Sequence, residues 1–148
     1  MTTVLQVRQR IEGILTANSI GVLSGNEITL AATTLPAGQV EIGPGRRTRE
    51  SGSELRVSRD FQLWFFAAEI TKPDDPATVE AALAVCDPWL DTIPDLFGKY
   101  RRLELNDGGI VADTLPMTDS GPVITPWKQK VYGAIRFTLP VILVRPIS

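Results

Sequence analysis

The most regular pattern of hydrophobic and polar positions runs over residues 57–70, VSRDFQLWFFAAEI. The first half alternates, as in a strand with one face in solvent, whereas the second half is apolar on both faces. This pattern predicts a β-strand that leaves solvent and enters a covered part of the molecule. We expect the cover over Trp64 and Phe66 to be either a helix of the same subunit or a neighbouring subunit.

Two stretches have the spacing of helices. In TTVLQVRQRIEGILTA the apolar residues recur every three or four positions, behind two threonines that can cap the helix, Thr2 and Thr3. In KPDDPATVEAALAVCDPWLDTIPDLFGKY two Asp-Pro pairs begin at Asp75 and Asp87. Each pair is typical of an N-cap residue followed by proline at the first helical position. The second stretch therefore predicts two short helices with a bend between them.

A long hairpin is predicted upstream of the aromatic strand. The segment QVEI is a plausible partner for that strand, so residues of about 40–63 form a protruding hairpin, called the arm below, whose tip at 43–54 is rich in turn-forming residues. The arm carries five of the eleven arginines of the chain: Arg46, Arg47, Arg49, Arg56 and Arg59.

These arginines allow three interpretations. Glu50, Glu54 and Asp60 lie among them, no aromatic residue lies between positions 43 and 60 to stack on bases, and the isoelectric point of the chain is near 5.2. We therefore expect the arm to dock on another protein and to become ordered in an assembly. A plain solvated loop and a sequence-independent nucleic-acid binder remain the alternatives.

The C-terminal third reads as short strands and loops. LELNDGGIVADTL predicts two short strands around a glycine turn, and PMTDSGPVITPW predicts a loop ordered by Trp127. VYGAIRFTLPVILV predicts a closing strand. Because Pro140 lacks an N–H, that strand is expected at a sheet edge or at a bulge, where Tyr132, Arg136 and Pro140 would be available to a neighbouring strand.

Together these patterns predict a fold of the α+β class. Residues 1–148 are expected to form a single compact domain, built on a mostly antiparallel β-sheet with the N-terminal helix and the bent central helix packed on one face and with the long protruding hairpin. The longest apolar runs fall far short of the roughly 20 residues of a membrane span, and the N-terminus lacks the order of a signal peptide. We expect a soluble protein that is not exported and does not enter a membrane.

Composition argues against most catalytic chemistry. The chain has no histidine, which excludes Ser-His and Cys-His catalysis and His-ligated metals, and it has neither a GxxxxGK[ST] nor a GxGxxG loop. The single cysteine, Cys86, lies in an apolar segment and is expected to be an ordinary buried thiol. We expect no enzyme, cofactor or metal site. The alternatives are a metal or acid-base site at Asp87, Asp91 and Asp95, which are spaced by four, and a small carboxylate-dependent enzyme using Asp87 or Asp91.

The charge is unevenly distributed along the chain. Residues 72–119 contain four basic and ten acidic side chains, whereas the remainder contains eleven basic and seven acidic ones. A subunit with one acidic and one basic portion can dock on copies of itself or on a partner of opposite sign. Random unevenness in a small protein is the alternative.

The order of these elements resembles a known family. An N-terminal helix, a long polar hairpin that runs into SRDFQLWFFAAE, the capped helix DPATVEAALAVCDPWLDTI and the closing strand YGAIRFTLPVIL resemble the tail terminator and tail completion proteins of long-tailed, siphovirus-type bacteriophages. The likeness covers nearly the whole chain and is one of architecture and spacing.

The resemblance implies a structural virion protein at the neck end of the tail, assembled in the host cytoplasm. Its subunits would form a homohexameric ring that caps the tail tube, ends tube polymerisation and provides the head-tail joining surface. Its partners would be other copies of itself, the major tail tube protein and the head-completion or connector protein, with only weak contact to DNA in the channel. The alternatives in the same particle are a neck connector or a tail tube protein.

Overall fold

A computed structural model of the chain describes residues 2–23, 35–49, 52, 54–104, 109–127 and 129–146. The described elements, in chain order, are α1 (Val4–Ala17), β1 (Gly21–Val22), β2 (Ala37–Arg49), β3 (Glu54–Glu69), α2 (Pro76–Cys86), α3 (Trp89–Gly98), β4 (Asp113–Thr114), β5 (Thr118–Trp127) and β6 (Lys130–Pro146).

Helix α1 begins as the sequence predicts. Thr3 is the N-cap and has extended backbone angles; its hydroxyl accepts a hydrogen bond from the Gln6 N–H, and the Gln6 side chain accepts one from the Thr3 N–H. This reciprocal pair satisfies two N–H groups that the first helical turn leaves without a partner. The apolar stripe of the helix is buried at Val7, Ile11, Ile14 and Leu15.

The two central helices are confirmed, but only one of the two predicted caps forms. The Asp75 carboxylate accepts hydrogen bonds from the Ala77 N–H and the Thr78 hydroxyl, and Pro76 occupies the first helical position. The prediction that Asp87 caps the second helix is wrong. Asp87 keeps right-handed helical angles, φ −54° and ψ −50°, instead of the extended conformation that a capping residue needs, and the cap of α3 is Pro88.

The sheet has the order β1-β2-β3-β6-β4, and β5 also pairs with β6. The prediction that the closing strand lies at a sheet edge is wrong, because β6 pairs with β3 on one side and with β4 and β5 on the other. Pro140 lies between the last residue of β6 paired with β5, Thr138, and the first paired with β4, Val141. The missing proline N–H thus falls at a gap between two short partner strands. The Pro140 carbonyl accepts a hydrogen bond from the Leu115 N–H across that gap.

Strand β5 replaces the loop predicted for residues 116–127. Its pairing with β6 shifts register between Asp119 and Pro122, and Gly121 at that bulge has φ +72°, a conformation that glycine adopts without strain. Nor do Leu103 and Glu104 form the predicted first strand of a hairpin, since they lie outside any strand and Leu103 has φ +53°. The remainder of that predicted turn falls outside the described residues.

Two prolines occupy particular positions along β5. Trp127 pairs with Lys130 across a two-residue turn, and in such a hairpin the N–H and C=O groups of the closing pair point at each other. The direction of these backbone groups alternates along a strand, so those of Trp127, Thr125 and Val123 face β6. The backbone groups of the residues between and beside them, Pro126, Ile124 and Pro122, point away from β6. Among the described residues β5 pairs only with β6, so two of these three outward positions offer no donor to a further strand.

The long hairpin is confirmed, and its strands extend further than predicted. Antiparallel pairing between β2 and β3 continues past a bulge after Ile42 as far as Arg49 and Leu55, so the tip is shorter than the predicted 43–54. The arm also contains a third strand, since β3 remains paired with β6 from Glu54 onward. Val57 and Leu143 are buried there, and this apolar pair helps explain why the strands stay together.

Alternation along the strands divides the apolar residues into two clusters. Odd-numbered residues of β3 and β6 pack against α1, α3 and Cys86 in the main core, and Phe65 lies 4.7 Å from Trp89 between ring centroids. Even-numbered residues of the same strands form a smaller cluster on the opposite face. The strand that is apolar on both faces is therefore confirmed, as is the α+β fold with both helical segments packed on one face of the sheet.

Candidate interaction surface

The arginines of the arm do not form one cluster. Side chains of paired residues share a face, so Arg46 lies with Ser58 and Arg56 lies with Thr48 on the face opposite the helices. Arg47 and Arg59 lie on the helical face, and the backbone of Arg49 pairs with that of Leu55. The arm thus presents positive charge on both faces at its end, rather than one continuous track for a phosphate backbone.

The arginines also differ in their accessibility. Arg46, Arg47 and Arg56 are exposed, whereas Arg59 is half-buried and donates a hydrogen bond from Nη1 to the Gly43 carbonyl at 2.8 Å. Arg59 therefore anchors the bulge of β2. The exposed arginines, with Arg46 and Arg47 at adjacent positions, form what we call the basic arm end.

The aromatic residues predicted to meet a partner have different environments. Phe66 is only 1% exposed, because Trp127 and Tyr132 cover it at ring centroid distances of 5.5 and 5.7 Å. The cover is therefore β5 and β6 of the same chain, and neither Phe66 nor the fully buried Tyr132 is accessible to a partner. Trp64 is half-buried on the open face of the sheet, with the Arg136 guanidinium carbon 5.6 Å from its ring centroid.

The three residues predicted to pair with a neighbouring strand are occupied within the chain. Tyr132 lies opposite Glu69 and Thr125, and Arg136 lies opposite Trp64. The Arg136 N–H faces the bulge of β5 and donates to the Ser120 hydroxyl at 3.1 Å. Pro140 is paired with Asp60. The prediction of edge pairing through these residues is therefore wrong, because β6 lies inside the sheet.

Exposed acidic side chains lie along the two central helices. Asp74, Glu80, Asp87, Asp91 and Asp95 are all exposed on or beside α2 and α3. Among the described residues no group of three or more acidic, cysteine or histidine side chains is arranged to hold a metal ion.

Described residues line two cavities beside α3, and neither of these is built around the predicted carboxylates. One of about 370 Å³ lies between α3 and residues 114–117, and one of about 380 Å³ lies between α3 and the end of α1. Asp95 lines both, whereas Asp87 and Asp91 line neither. Neither of these two cavities therefore brings Asp87 and Asp91 together around a substrate.

An ion pair at the rim of the first cavity has a clear electrostatic effect. Arg101 donates two hydrogen bonds to the Asp113 carboxylate, Nε to Oδ1 at 2.9 Å and Nη2 to Oδ2 at 3.1 Å. These bonds hold the pKa of Asp113 below its ordinary value and raise that of Arg101. The pair links the end of α3 to β4 and had no signal in the sequence.

The sequence pattern also did not predict an exposed apolar surface on α2. Helix α2 is apolar on most sides, yet Ala77, Ala81, Ala84 and Val85 are exposed, with 46% of Val85 accessible. Ile124 of β5 is 53% exposed and pairs with Gly133, which lies directly under Ala82 of the helix. We call the exposed side of α2 together with the residue that continues it beyond the helix end, that is residues 77, 80, 81, 84, 85 and 88, the α2 face. An apolar helix surface of this kind is usually covered.

Comparison with known proteins assigns no family. No family model matches the chain, and no curated protein matches it. In the part of the chain that the structure describes, no helix has the length and apolar character needed to cross a bilayer.

Proposed function

We propose that this chain is a structural protein of a long-tailed bacteriophage virion, which forms a ring on the end of the tail tube, stops tube polymerisation and provides the surface for head joining. The proposal rests on the resemblance in the order and spacing of elements. The architecture that the resemblance implies is compatible with three features of this α+β fold: the three-stranded arm, the single sheet and the two helical segments on one face of it.

One observation supports this function above the alternatives. The exposed arginines of the basic arm end and the exposed Glu80 and Asp87 on and beside α2 lie far apart on one sheet, because α2 lies over Gly133 and the arm end lies beside Leu143, ten residues further along β6. A subunit with two unlike surfaces that lie far apart can bind copies of itself head to tail, and such contacts close into a ring when the rotation between subunits permits. A nucleic-acid binder would need neither the second surface nor arginines split between two faces.

The experiment is to add the purified chain to polymerising tail tubes of the parent phage and to image the products by electron microscopy. We expect one ring at one end of each tube and tubes of limited length. Labelling of the virion then separates the alternatives, since a tube protein occupies many stacked rings and a head-completion protein lies at the connector. A chain that neither binds tube ends nor alters tube length would refute the proposal.

A further inference from the structure

The α2 face is the surface in the described structure that most clearly lacks a cover. Its centre is apolar, with Ala81, Ala84 and Val85 exposed, and Glu80 and Asp87 lie on and beside it. Burying such a surface is favourable by roughly 25 cal/mol for each Å² of apolar area removed from water. The flanking carboxylates would be left without counter-charges unless the covering surface were basic.

The basic arm end has the complementary properties. Arg46 and Arg47 are exposed and make no hydrogen bond or ion pair within the described part of the chain, and Ile42, just before the bulge, is 43% exposed. Together with Ile42, the basic arm end therefore offers an apolar residue and two positive charges without a partner among the described residues, as the α2 face combines apolar residues with two negative ones.

The two surfaces cannot meet within one molecule. Helix α2 lies over Gly133, since a β-carbon added there would lie 2.9 Å from the Ala82 carbonyl oxygen. The arm end lies at Leu143, which pairs with Val57 and through it with Arg47. Gly133 and Leu143 are ten residues apart on one strand, so the surfaces are separated by roughly 33 Å at about 3.3 Å per residue.

We infer that the α2 face binds the basic arm end of a second copy of this chain. The contact is made by the outer edge of β2, from which Arg46 and Arg47 project to opposite sides. These two arginines pair with Glu80 and Asp87 of the next subunit, and Ile42 packs on the apolar centre of the α2 face. Because the two surfaces differ and lie far apart on the sheet, the contact is head to tail and repeats from subunit to subunit. This inference rests on the proposed ring and names the surface within it that receives the arm.

Charge reversal tests the contact. One variant carries Arg46→Glu and Arg47→Glu, a second carries Glu80→Arg and Asp87→Arg, and a third carries all four substitutions. Self-association is measured by sedimentation velocity over a range of concentrations at low ionic strength, and circular dichroism confirms that each variant is folded. The matched control is Asp91→Arg with Asp95→Arg, which makes the same change in charge on the adjacent helix α3.

We expect each of the first two variants alone to associate at least about tenfold more weakly than the natural chain. An equimolar mixture of the two, and the chain with all four substitutions, should regain association because opposite charges then face each other. The control should associate like the natural chain. Raising the salt concentration from about 0.1 M to about 1 M, which shortens the Debye length from about 10 Å to about 3 Å, should weaken association of the natural chain.

The outcomes separate this inference from the proposed function. Rings on tail tubes that both reversed variants form normally would refute the arm-to-α2 contact and leave the ring proposal standing. Open filaments restored by the charge-swapped mixture would support the contact and refute a closed ring. A natural chain that stays monomeric at every concentration, alone and with tubes, would overturn both.

Discussion

The packing of α2 on the sheet depends on the absence of a side chain at Gly133, and Gly133→Ala tests that dependence. The added β-carbon would lie 2.9 Å from the carbonyl oxygen of Ala82 and 3.1 Å from its carbonyl carbon. Ordinary contact begins at 3.4 Å, so the helix must move by about half an ångström. The atoms in the way belong to the backbone of a helix, and no rotation of a side chain can relieve the contact.

Two effects of opposite sign decide the result. Replacing a strand glycine with alanine lowers the entropy of the unfolded chain and stabilises by about 0.4–1 kcal/mol when the native conformation permits it. Overpacking a well-filled interface typically costs about 1–3 kcal/mol. The second effect should dominate, and we expect Gly133→Ala to lower the free energy of unfolding by about 1–2 kcal/mol. For a chain of 148 residues with an unfolding entropy of about 2.1 cal/mol/K per residue, this corresponds to a fall in Tm of about 3–6 °C.

Urea and thermal unfolding followed by circular dichroism measure this loss, and two further variants control it. Gly98→Ala adds the same methyl at the end of α3, where no atom lies within 4 Å, and should be neutral or slightly stabilising. Ala82→Gly combined with Gly133→Ala should not restore stability, because the obstructing atoms are those of the backbone. A Gly133→Ala protein as stable as the natural chain, or a full rescue by Ala82→Gly, would show that α2 does not approach the sheet as described.

Three further predictions concern the edge strand and the titrating groups. The double variant Pro122→Thr with Pro126→Thr adds two outward N–H donors to β5 and should increase aggregation, measured by light scattering and thioflavin binding. Pro116→Thr, which lies outside the strands, should not increase it. Equal solubility of the natural chain, the double variant and Pro116→Thr would contradict the edge argument. Burial raises the pKa of Cys86 from 9.0 to about 11, so the native thiol should resist a disulfide reagent at pH 8, and rapid labelling of the native protein would count against this. Because the thiol of the unfolded chain ionises at a lower pH than that of the folded protein, the free energy of unfolding should fall between pH 9 and 11 by more than it does in Cys86→Ala. Arg101→Ala should raise the pKa of Asp113 toward its ordinary value of 3.8, as measured by carboxyl NMR titration, and an unchanged pKa would exclude the two hydrogen bonds. The ion pair stabilises the natural protein above pH 3.8, and this stabilisation is lost as the pH falls through the lowered pKa of Asp113.

The helices could be predicted from the sequence because their signals are local. The spacing of apolar residues in α1, the Thr3 cap and the Asp75–Pro76 start of α2 all depend on residues within one or two turns. Strand β5 could not, since glycine and two prolines usually indicate a loop, and only its position at an edge with a bulge makes them tolerable. The rule applied to Pro140 allowed an edge or a bulge, and the third possibility, a gap between two partner strands, depends on elements far away in the sequence.

The candidate surfaces were predictable in part. The alternation of a strand already implies that Arg46 and Arg47 lie on opposite faces, so the splitting of the basic stretch could have been read from the sequence. The exposure of the α2 face could not, because an apolar helix is expected to be covered on every side. Nor could the sequence reveal that Trp127 and Tyr132 cover Phe66. Phe66 lies in β3 whereas its two partners lie in β5 and β6, so the contact depends on residues that are far apart in the chain.

The central place of β6 has a consequence for the order of folding. Strands β3, β4 and β5 all pair with it, yet it follows all the other described elements in the sequence. During synthesis, α1 and the β2-β3 hairpin can form from local contacts, but the main core lacks Ile135, Phe137, Val141 and Leu143 until β6 has left the ribosome. A nascent chain that does not yet contain β6 therefore exposes the apolar side of β3 to solvent, and the cell must keep this surface from aggregating until β6 has been translated.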